Sequence, residues 1–343
     1  MQPKNYHVEI LYLQNKLDKD MQKIIQPFNI FLTLFLSSIY KVKKNYIKPC
    51  AKNSQNIIFL IISSINLVDV CIASFTNKFK TFTLTFIICC SLFLLILSYM
   101  LLMICNIYHS NNHIFLILKL QEIYNTLDIN KEIRIFCIWN WILIFSVILF
   151  EVLLAILFQI ATKFKMSVNI ISLHIINVSY DINMLYAIRV MSLLTMLLER
   201  CVTKIQFDID NEEDSKDISE KVFVTFKKIL DAYELYDSCF RILINFVMTI
   251  SITKNFFVIL ALCTYCEKFY KTQEEMQSAC LQQIMDSKCS ESKKYLCKQV
   301  LQLNRTFSKI SACGLFNVDA SFPMPLMGVM ANYIFVLLQF AYL

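Results

Sequence analysis

The sequence contains very little glycine and few charged residues. Glycine occurs only twice in 343 residues, at Gly314 and Gly328. A phosphate-binding loop needs several closely spaced glycines, so a nucleotide site of that kind is excluded. Charged residues make up 17% of the chain, against about 25% in soluble domains. With 57% hydrophobic residues and a mean hydropathy of +0.54, this composition predicts a polytopic membrane protein.

Patterns that would carry catalysis or hold a metal are also missing. No Ser/His/Asp set, carboxylate pair or metal-hydrolase pattern occurs at usable spacing, so we predict no enzyme activity and no cofactor. Cys263-x-x-Cys266 lacks the second Cys or His pair of a zinc site, so no metal is expected. The net charge of +7 lies mostly in loops between apolar runs, which does not favour nucleic-acid binding. The amino terminus predicts no cleaved signal peptide.

What the chain does contain is a series of apolar runs, and each of them predicts a helix. The first is weak, because it carries a proline and an asparagine and is followed by lysines. Lys and Arg are divided almost equally between the two sides, so charge does not decide orientation. We predict an all-α, polytopic membrane helical bundle with six to seven transmembrane helices. The runs are Ile24–Tyr40, Ile57–Phe75, Thr81–Cys105, Ile135–Ile160, Val168–Leu198, Phe240–Leu262 and Leu326–Leu343.

Two connecting stretches have the spacing of amphipathic helices. In one, the apolar residues are Phe115, Leu118, Ile123 and Leu127; in the other, they are Val222, Phe226, Ile229, Leu230, Tyr233 and Tyr236. We therefore divide the chain into a helical bundle over 1–262, a cytosolic anchor-like region over 263–325 and a terminal helix over 326–343. In a cytosolic anchor, Cys280, Cys289 and Cys297 would be free thiols, whereas disulfides there would place it outside.

The terminal run is 18 residues long, about enough to cross a bilayer core of about 30 Å at about 1.5 Å per residue. At about 100° per residue, Val336, Gln339, Phe340 and Leu343 share one helix face. An amide facing lipid costs roughly 1–3 kcal/mol or more, so Gln339 should face protein or water. Two interpretations stay open: a pore amide beside a hydrophobic gate, or an interhelical hydrogen bond.

Ionisable residues within the other apolar runs are candidates for a ligand pocket, because charge inside a membrane is costly. They are Glu151, His174, Asp181 and Arg189, together with Asp69. Asp181 and Arg189 lie about 12 Å apart along a helix and cannot pair directly. A pair between Arg189 and Glu151 is geometrically possible, and a purely structural pair is the alternative to a ligand contact.

The end of the chain resembles the carboxyl-terminal motif of insect gustatory receptors, which are related to odorant receptors. That motif is a Gly-Leu-Phe-x-Leu/Val-Asp block, a Thr-Tyr pair, five apolar residues and Gln-Phe. This sequence matches the order and spacing with Gly314-Leu315-Phe316-Asn317-Val318-Asp319, Asn332-Tyr333, Ile334 to Leu338 and Gln339-Phe340. The one departure is Asn332, which stands where the pair usually has Thr.

The resemblance implies a plasma-membrane receptor of sensory neurons with seven spans and an intracellular amino terminus. It implies a homo- or hetero-tetramer with other gustatory receptors, in which a small-molecule tastant gates a non-selective cation channel within the lipid bilayer. The gate then maps to Val336, Gln339 and Phe340, and the Gly314–Asp319 block to the exit from the anchor. No G protein is expected, since Glu199-Arg200-Cys201 ends the fourth or fifth run rather than the third.

One feature departs from the family pattern. A sixth span normally precedes the terminal block, but residues 263–313 contain no apolar run. Either the chain has six spans and is a truncated, non-functional member, or Ile24–Tyr40 spans and the count is seven. A secondary transporter is the alternative from another class, although no internal repeat supports it.

Overall fold

The computed structural model describes residues 15–35, 37–43, 45–49, 99–127, 130–162, 168–207, 215–250, 256–285, 291–312, 314 and 316–342, with isolated positions between 61 and 97. The run Ile57–Phe75 and most of Thr81–Cys105 lie outside the described residues. So do Asp69 and most of the acidic stretch that begins at Asp208.

The described chain is mainly helical, as predicted. The helices are α1 (Lys19–Leu34), α2 (Tyr99–Tyr108), α3 (Ser110–Leu127), α4 (Asn130–Thr162), α5 (Val168–Phe207), α6 (Ser215–Ile250), α7 (Phe256–Met285), α8 (Glu291–Asn304) and α9 (Pro323–Tyr342). Four short strands accompany them: β1 (Tyr40–Lys43), β2 (Tyr46–Pro49), β3 (Ser311–Ala312) and β4 (Phe316–Asn317). The chain forms two compact units, residues 1–121 with 129–186, and residues 122–128 with 187–343.

In the first unit, α1 is an amphipathic helix that buries Met21, Ile24, Ile25, Phe28 and Leu32. It packs on α4, where the ring of Phe31 meets those of Trp141 and Phe145 at centroid distances of 6.2 and 5.7 Å. The carbonyl of Ile24, in the turn before Pro27, accepts a hydrogen bond from the buried Asn140 amide at 3.0 Å. This polar contact fixes where α1 lies on α4.

Helix α4 has the polarity of a membrane helix, with apolar residues outside and polar residues inside. Asn140 and Glu151 are 0% and 2% exposed. The outward residues recur at three- or four-residue steps and are about half exposed or more: Ile135, Ile138, Ile142, Phe145, Leu149, Leu153, Ile156 and Ile160. Exposing such a stripe to water would be unfavourable by about 25 cal/mol per Å², so this face fits lipid.

Two of the described helices are long and apolar enough to cross a membrane, over Glu132–Leu157 in α4 and His174–Ile205 in α5. The second window is largely buried within the protein, whereas the first is mostly exposed. Helix α5 has 40 residues and is therefore about 60 Å long. As its apolar run predicted, it is longer than a bilayer core requires.

In the second unit, α6, α7 and α8 pack side by side. The predicted amphipathic face of α6 is confirmed, because Val222, Phe226, Ile229, Leu230, Tyr233 and Tyr236 are all buried. The ring of Tyr233 stacks on Phe269 of α7 at 4.9 Å. One turn further along α7, Gln273 donates to Asn304 of α8 at 2.9 Å. A second contact, between Gln283 and Cys297, shows that α7 and α8 run antiparallel.

One sequence-based expectation about an element boundary is wrong. The run Ile24–Tyr40 is not one helix, because α1 ends at Leu34 and Tyr40 begins β1. The run Phe240–Leu262 contains residues 251–255, which lie outside the described residues, so a single span there stays a prediction.

Two short antiparallel hairpins accompany the helices of this all-α fold. β1 and β2 pair antiparallel, Tyr40 with Pro49 and Lys43 with Tyr46. Asn45, in the turn, has φ 67°, the left-handed conformation that asparagine tolerates better than most residues. β3 and β4 form the second hairpin.

Candidate functional site: the exit block and the terminal helix

Residues 308–322, here called the exit block, connect α8 to the terminal helix α9. Their core is the hairpin in which Ser311 pairs with Asn317 and Ala312 with Phe316. The backbone amide of Val318 extends this ladder by donating to the Ile310 carbonyl at 2.9 Å. Gly314 lies in the turn with φ +70°, and a Cβ there would meet nothing within 4 Å. The glycine is therefore needed for its backbone conformation rather than for space.

Two buried tyrosines attach the exit block to α6 and α7. The Ile310 amide donates to the Tyr270 hydroxyl at 3.1 Å. The Tyr233 hydroxyl lies 3.4 Å from the Tyr270 hydroxyl and 3.3 Å from the Ser308 carbonyl. Burial raises the pKa of both Tyr233 and Tyr270, so both phenols stay protonated at neutral pH and act as hydrogen-bonding groups.

Asp319, the last residue of the predicted motif, organises the turn that leads into α9. Its Oδ1 accepts a hydrogen bond from the Ser321 amide at 3.0 Å, and its backbone carbonyl accepts one from the Phe322 amide at 3.2 Å. Its Oδ2 lies 4.0 Å from Lys309 Nζ. Lys309 Nζ in turn lies 5.0 Å from the centre of the Tyr270 ring, a cation–π distance. Through Lys309, the Asp319 carboxylate thus links the start of the terminal helix to the tyrosine cluster, which is the pair Tyr233 and Tyr270.

Further contacts hold the second half of the exit block. The Ala320 amide donates to Glu267 Oε2 of α7 at 3.5 Å. The rings of Phe316 and Phe322 meet edge to face at 5.6 Å. Phe316 is 46% exposed, whereas Phe322 is buried. A displacement of α7 would therefore be passed to the exit block and to the first turn of α9.

The predicted gate residues Val336, Gln339 and Phe340 all lie in α9, which has 20 residues and is about 30 Å long. The side chain of Gln339 is exposed. Tyr333 also lies in this helix. The side chains of Tyr333, Val336 and Phe340 are outside the described residues, as is the whole of Leu315.

The four ionisable candidates that the structure describes are buried or half-buried. In the first unit, Glu151 Oε2 of α4 lies 3.7 Å from His174 Nδ1 of α5. Glu151 is 2% exposed. Asp181 and Arg189 are buried on α5 at 8% and 7% exposure. Sequence reasoning selected Glu151 and His174 separately but did not predict that they meet.

Sequence reasoning missed a buried amide cluster in the first unit. Asn183 of α5 donates to Ser37 Oγ at 3.0 Å and accepts from the Asn106 amide at 3.2 Å. Its amide also reaches the Ser179 carbonyl at 2.8 Å. An asparagine within an apolar helix is the signal that could have revealed this cluster, because a buried amide needs partners.

Comparison with known proteins agrees with the terminal motif. The 7tm Chemosensory receptor family matches residues 221–343. No curated protein matches the sequence. Two structures of the insect olfactory receptor OR5 from Machilis hrabei have the same fold, one of them in complex with eugenol.

The OR5–eugenol complex is 15% identical, with a TM-score of 0.53 over 93% of this chain and 98% of that one. The second OR5 structure is also 15% identical, with a TM-score of 0.52 over 94% of this chain and 100% of that one. At this identity the likeness shows the fold, that of an insect chemoreceptor helical membrane bundle. The family match is confined to residues 221–343, in the carboxyl-terminal part of the chain that carries the motif.

Proposed function

We propose that the protein is a gustatory receptor: one subunit of a tetrameric, ligand-gated, non-selective cation channel in the plasma membrane of sensory neurons. The observation that carries this proposal is the exit block. It is anchored by Tyr270 and Asp319, and it leads directly into a terminal helix long enough to cross a membrane. The matched terminal motif supports a gustatory rather than an olfactory member.

The proposed gate is Val336, Gln339 and Phe340 in α9. An exposed amide in a helix this apolar needs water or protein beside it, and an axial position among four copies of α9 would supply both. In the closed state the apolar neighbours would exclude water from the pore. Ligand binding would favour the open state by binding it more tightly than the closed one.

We place the ligand among the helices of the first unit, where Glu151 and His174 meet. A small tastant with a hydroxyl or amine could replace part of this contact. Asp181 and Arg189 are weaker candidates, because each is buried on α5 and could serve structure alone.

Helix α7 supports a chain with all seven spans over one that lacks the sixth. The first part of α7, which begins at Phe256, is apolar and lies just before the anchor. On this assignment α6 and α7 contribute the fifth and sixth spans and α9 the seventh. Helix α1, which is short and amphipathic, lies before the first span.

Current recordings test the proposal. Oocytes expressing the full chain would be superfused with sugars, alkaloids and dissolved carbon dioxide, and cation current measured under voltage clamp. We expect one of these classes to evoke current, and Gln339→Ala and Phe340→Ala to change conductance or ion selectivity. Leu338→Ala is the matched control, because at about 100° per residue it lies roughly opposite the proposed gate face.

Other results would contradict the proposal in recognisable ways. Unchanged conductance and selectivity in Gln339→Ala and Phe340→Ala would remove these residues from the gate. Accumulation of a labelled solute without current would indicate a secondary transporter. Failure of the wild-type chain to reach the surface or form tetramers, alone and with other gustatory receptor subunits, would indicate a non-functional family member.

A further inference from the structure

A small cavity lies in the second unit, between the ends of α5 and α7, the start of α6, and α8. Its volume is about 40 Å³, room for two or three water molecules or a solute of similar size. Its lining includes the exposed Lys204 as well as the fully buried Cys280, so it extends from the surface into the interior. The cavity is distinct from the exit block and from the proposed gate.

Two free cysteines from neighbouring helices meet at this cavity. Cys280 of α7 and Cys297 of α8 both line it, and their side chains hydrogen-bond to each other. Cys297 Sγ also lies 3.8 Å from Gln283 Oε1, one turn further along α7. Because α7 and α8 run antiparallel here, the two sulfurs face each other although they are 17 positions apart in the sequence.

The surroundings of Cys297 favour its thiolate. The hydrogen bond from Cys280 and the charge of Lys293 lower the pKa of Cys297, against the opposing effect of burial. The same hydrogen bond, together with burial, raises the pKa of Cys280. Cys297 is also the more exposed of the two, at 6% against 0% for Cys280, so Cys297 is the sulfur that a solute in the cavity reaches first.

We propose that Cys297 and Cys280 form a two-cysteine oxidation site for hydrogen peroxide, in which Cys297 reacts first and Cys280 closes a disulfide between α7 and α8. The cavity gives a molecule of this size access to Cys297, which is otherwise only 6% exposed. Among the described residues no group of three or more Cys, His, Asp or Glu is placed to hold a metal.

The proposed reaction is balanced with peroxide as the only oxidant. The Cys297 thiolate attacks one peroxide oxygen, and the O–O bond breaks. Cys297 becomes a sulfenic acid, and the leaving hydroxide takes up a proton to form water. The Cys280 sulfur then attacks the sulfenic sulfur, the S–O bond breaks, and a second water leaves with the Cys280 proton. Two thiols lose two electrons in total, and one peroxide is reduced to two waters.

Peptide mass spectrometry on the full chain tests this proposal. Protein reconstituted in phosphatidylcholine nanodiscs would be reduced, freed of reductant, exposed to hydrogen peroxide, alkylated and digested with trypsin. We expect residues 272–288 to become linked to residues 295–298, and the link to disappear on reduction. The thiol of Cys297 should be oxidised at least about tenfold faster than that of the buried Cys266, because a thiolate with access to solute reacts and a buried thiol does not.

Substitutions separate the roles of the two sulfurs. Cys297→Ser should abolish both the link and the rapid oxidation. Cys280→Ser should leave Cys297 as a sulfenic acid that dimedone traps. Cys239→Ser, which removes a buried cysteine from α6, should change neither result and serves as the matched control. Rapid oxidation of Cys297 should also persist to lower pH than that of the exposed thiol in glutathione, because its pKa is lowered.

Three results would overturn the proposal. One is a Cys280–Cys297 link already present in the protein as purified, before the reduction step, which would indicate a structural disulfide. Another is oxidation of the Cys297 thiol no faster than oxidation of the Cys266 thiol. The third is trapped sulfenic acid in the wild-type protein without any link. None of these measurements uses channel current, so the oxidation site stands or falls independently of the proposed function.

Discussion

The two units of this chain distribute polar and apolar residues in opposite ways. In the first unit, α4 turns Ile, Leu and Phe outward and buries Asn140 and Glu151. In the second unit, α6 buries Phe226 and Tyr236 and carries ion pairs on its surface, such as Lys228 with Glu122 at 2.8 Å. A salt bridge of this kind contributes little to stability, about 0–1 kcal/mol, but it marks a surface in contact with water.

The difference teaches that one chain is adapted to two solvents. In lipid, apolar side chains lose nothing by facing outward, and buried polar groups provide specific contacts between helices. In water, the aromatic core of the second unit supplies the driving force for packing. A charged substitution on an outward face should therefore be costly in α4 of the first unit and nearly neutral in α6 of the second.

The largest effect is expected in the aromatic core of the second unit. Phe269→Ala removes a ring that is fully buried and stacked on Tyr233, and should destabilise this unit by about 3–5 kcal/mol. Tyr295→Ala, on an exposed position of α8, should cost far less. Thermal unfolding of the detergent-solubilised protein measures both. Equal losses of stability in the two variants would show that burial of aromatic side chains does not hold this unit together.

A lysine on the outward face of each unit tests the contrast directly. Leu149→Lys puts a charge on the lipid-type face of α4 and should cost about 2.5–3.5 kcal/mol of insertion energy. Val224→Lys, at a 42% exposed position of α6, should be nearly neutral. Surface labelling of expressing cells measures the amount of correctly inserted protein. A neutral Leu149→Lys would show that this face of α4 is in contact with water.

A smaller effect is expected where the tyrosine cluster holds the exit block. Tyr270→Phe removes the acceptor for the Ile310 amide and should cost about 1–3 kcal/mol, since a buried donor is left unsatisfied. Hydrogen exchange of a peptide containing Ile310 should become faster. Tyr295→Phe removes an exposed hydroxyl and is the control. Unchanged exchange in Tyr270→Phe would show that the hydroxyl does not hold the block.

Local periodicity predicted a large part of the fold. The buried face of α6 and the apolar character of α4 and α9 follow from residues close together in sequence. The terminal motif also selected Gly314 and Asp319, and the structure gives both a physical reason: a left-handed backbone and a carboxylate that organises the turn before α9.

What the sequence could not predict depends on residues far apart. The β1–β2 hairpin has no glycine to mark it, since Asn45 takes the left-handed position. The meetings of Glu151 with His174, of Asn106 with Asn183 and of Cys280 with Cys297 each require two helices to pack in one register, which no local pattern encodes.

The smallest expected effect compares the only two glycines of the sequence, Gly314 in a turn and Gly328 in a helix. Gly314→Ala places a Cβ on a residue with φ +70°, and should cost about 1–2 kcal/mol because L-residues avoid this conformation. Gly328→Ala lies within α9, where a Cβ meets nothing within 4 Å. It should be neutral or stabilising by up to about 1 kcal/mol, since alanine favours helices. Thermal unfolding of both variants measures the difference. If the two variants shift the midpoint equally, backbone conformation is not the reason that glycine stands at 314, and the hairpin of the exit block would have to tolerate another turn geometry.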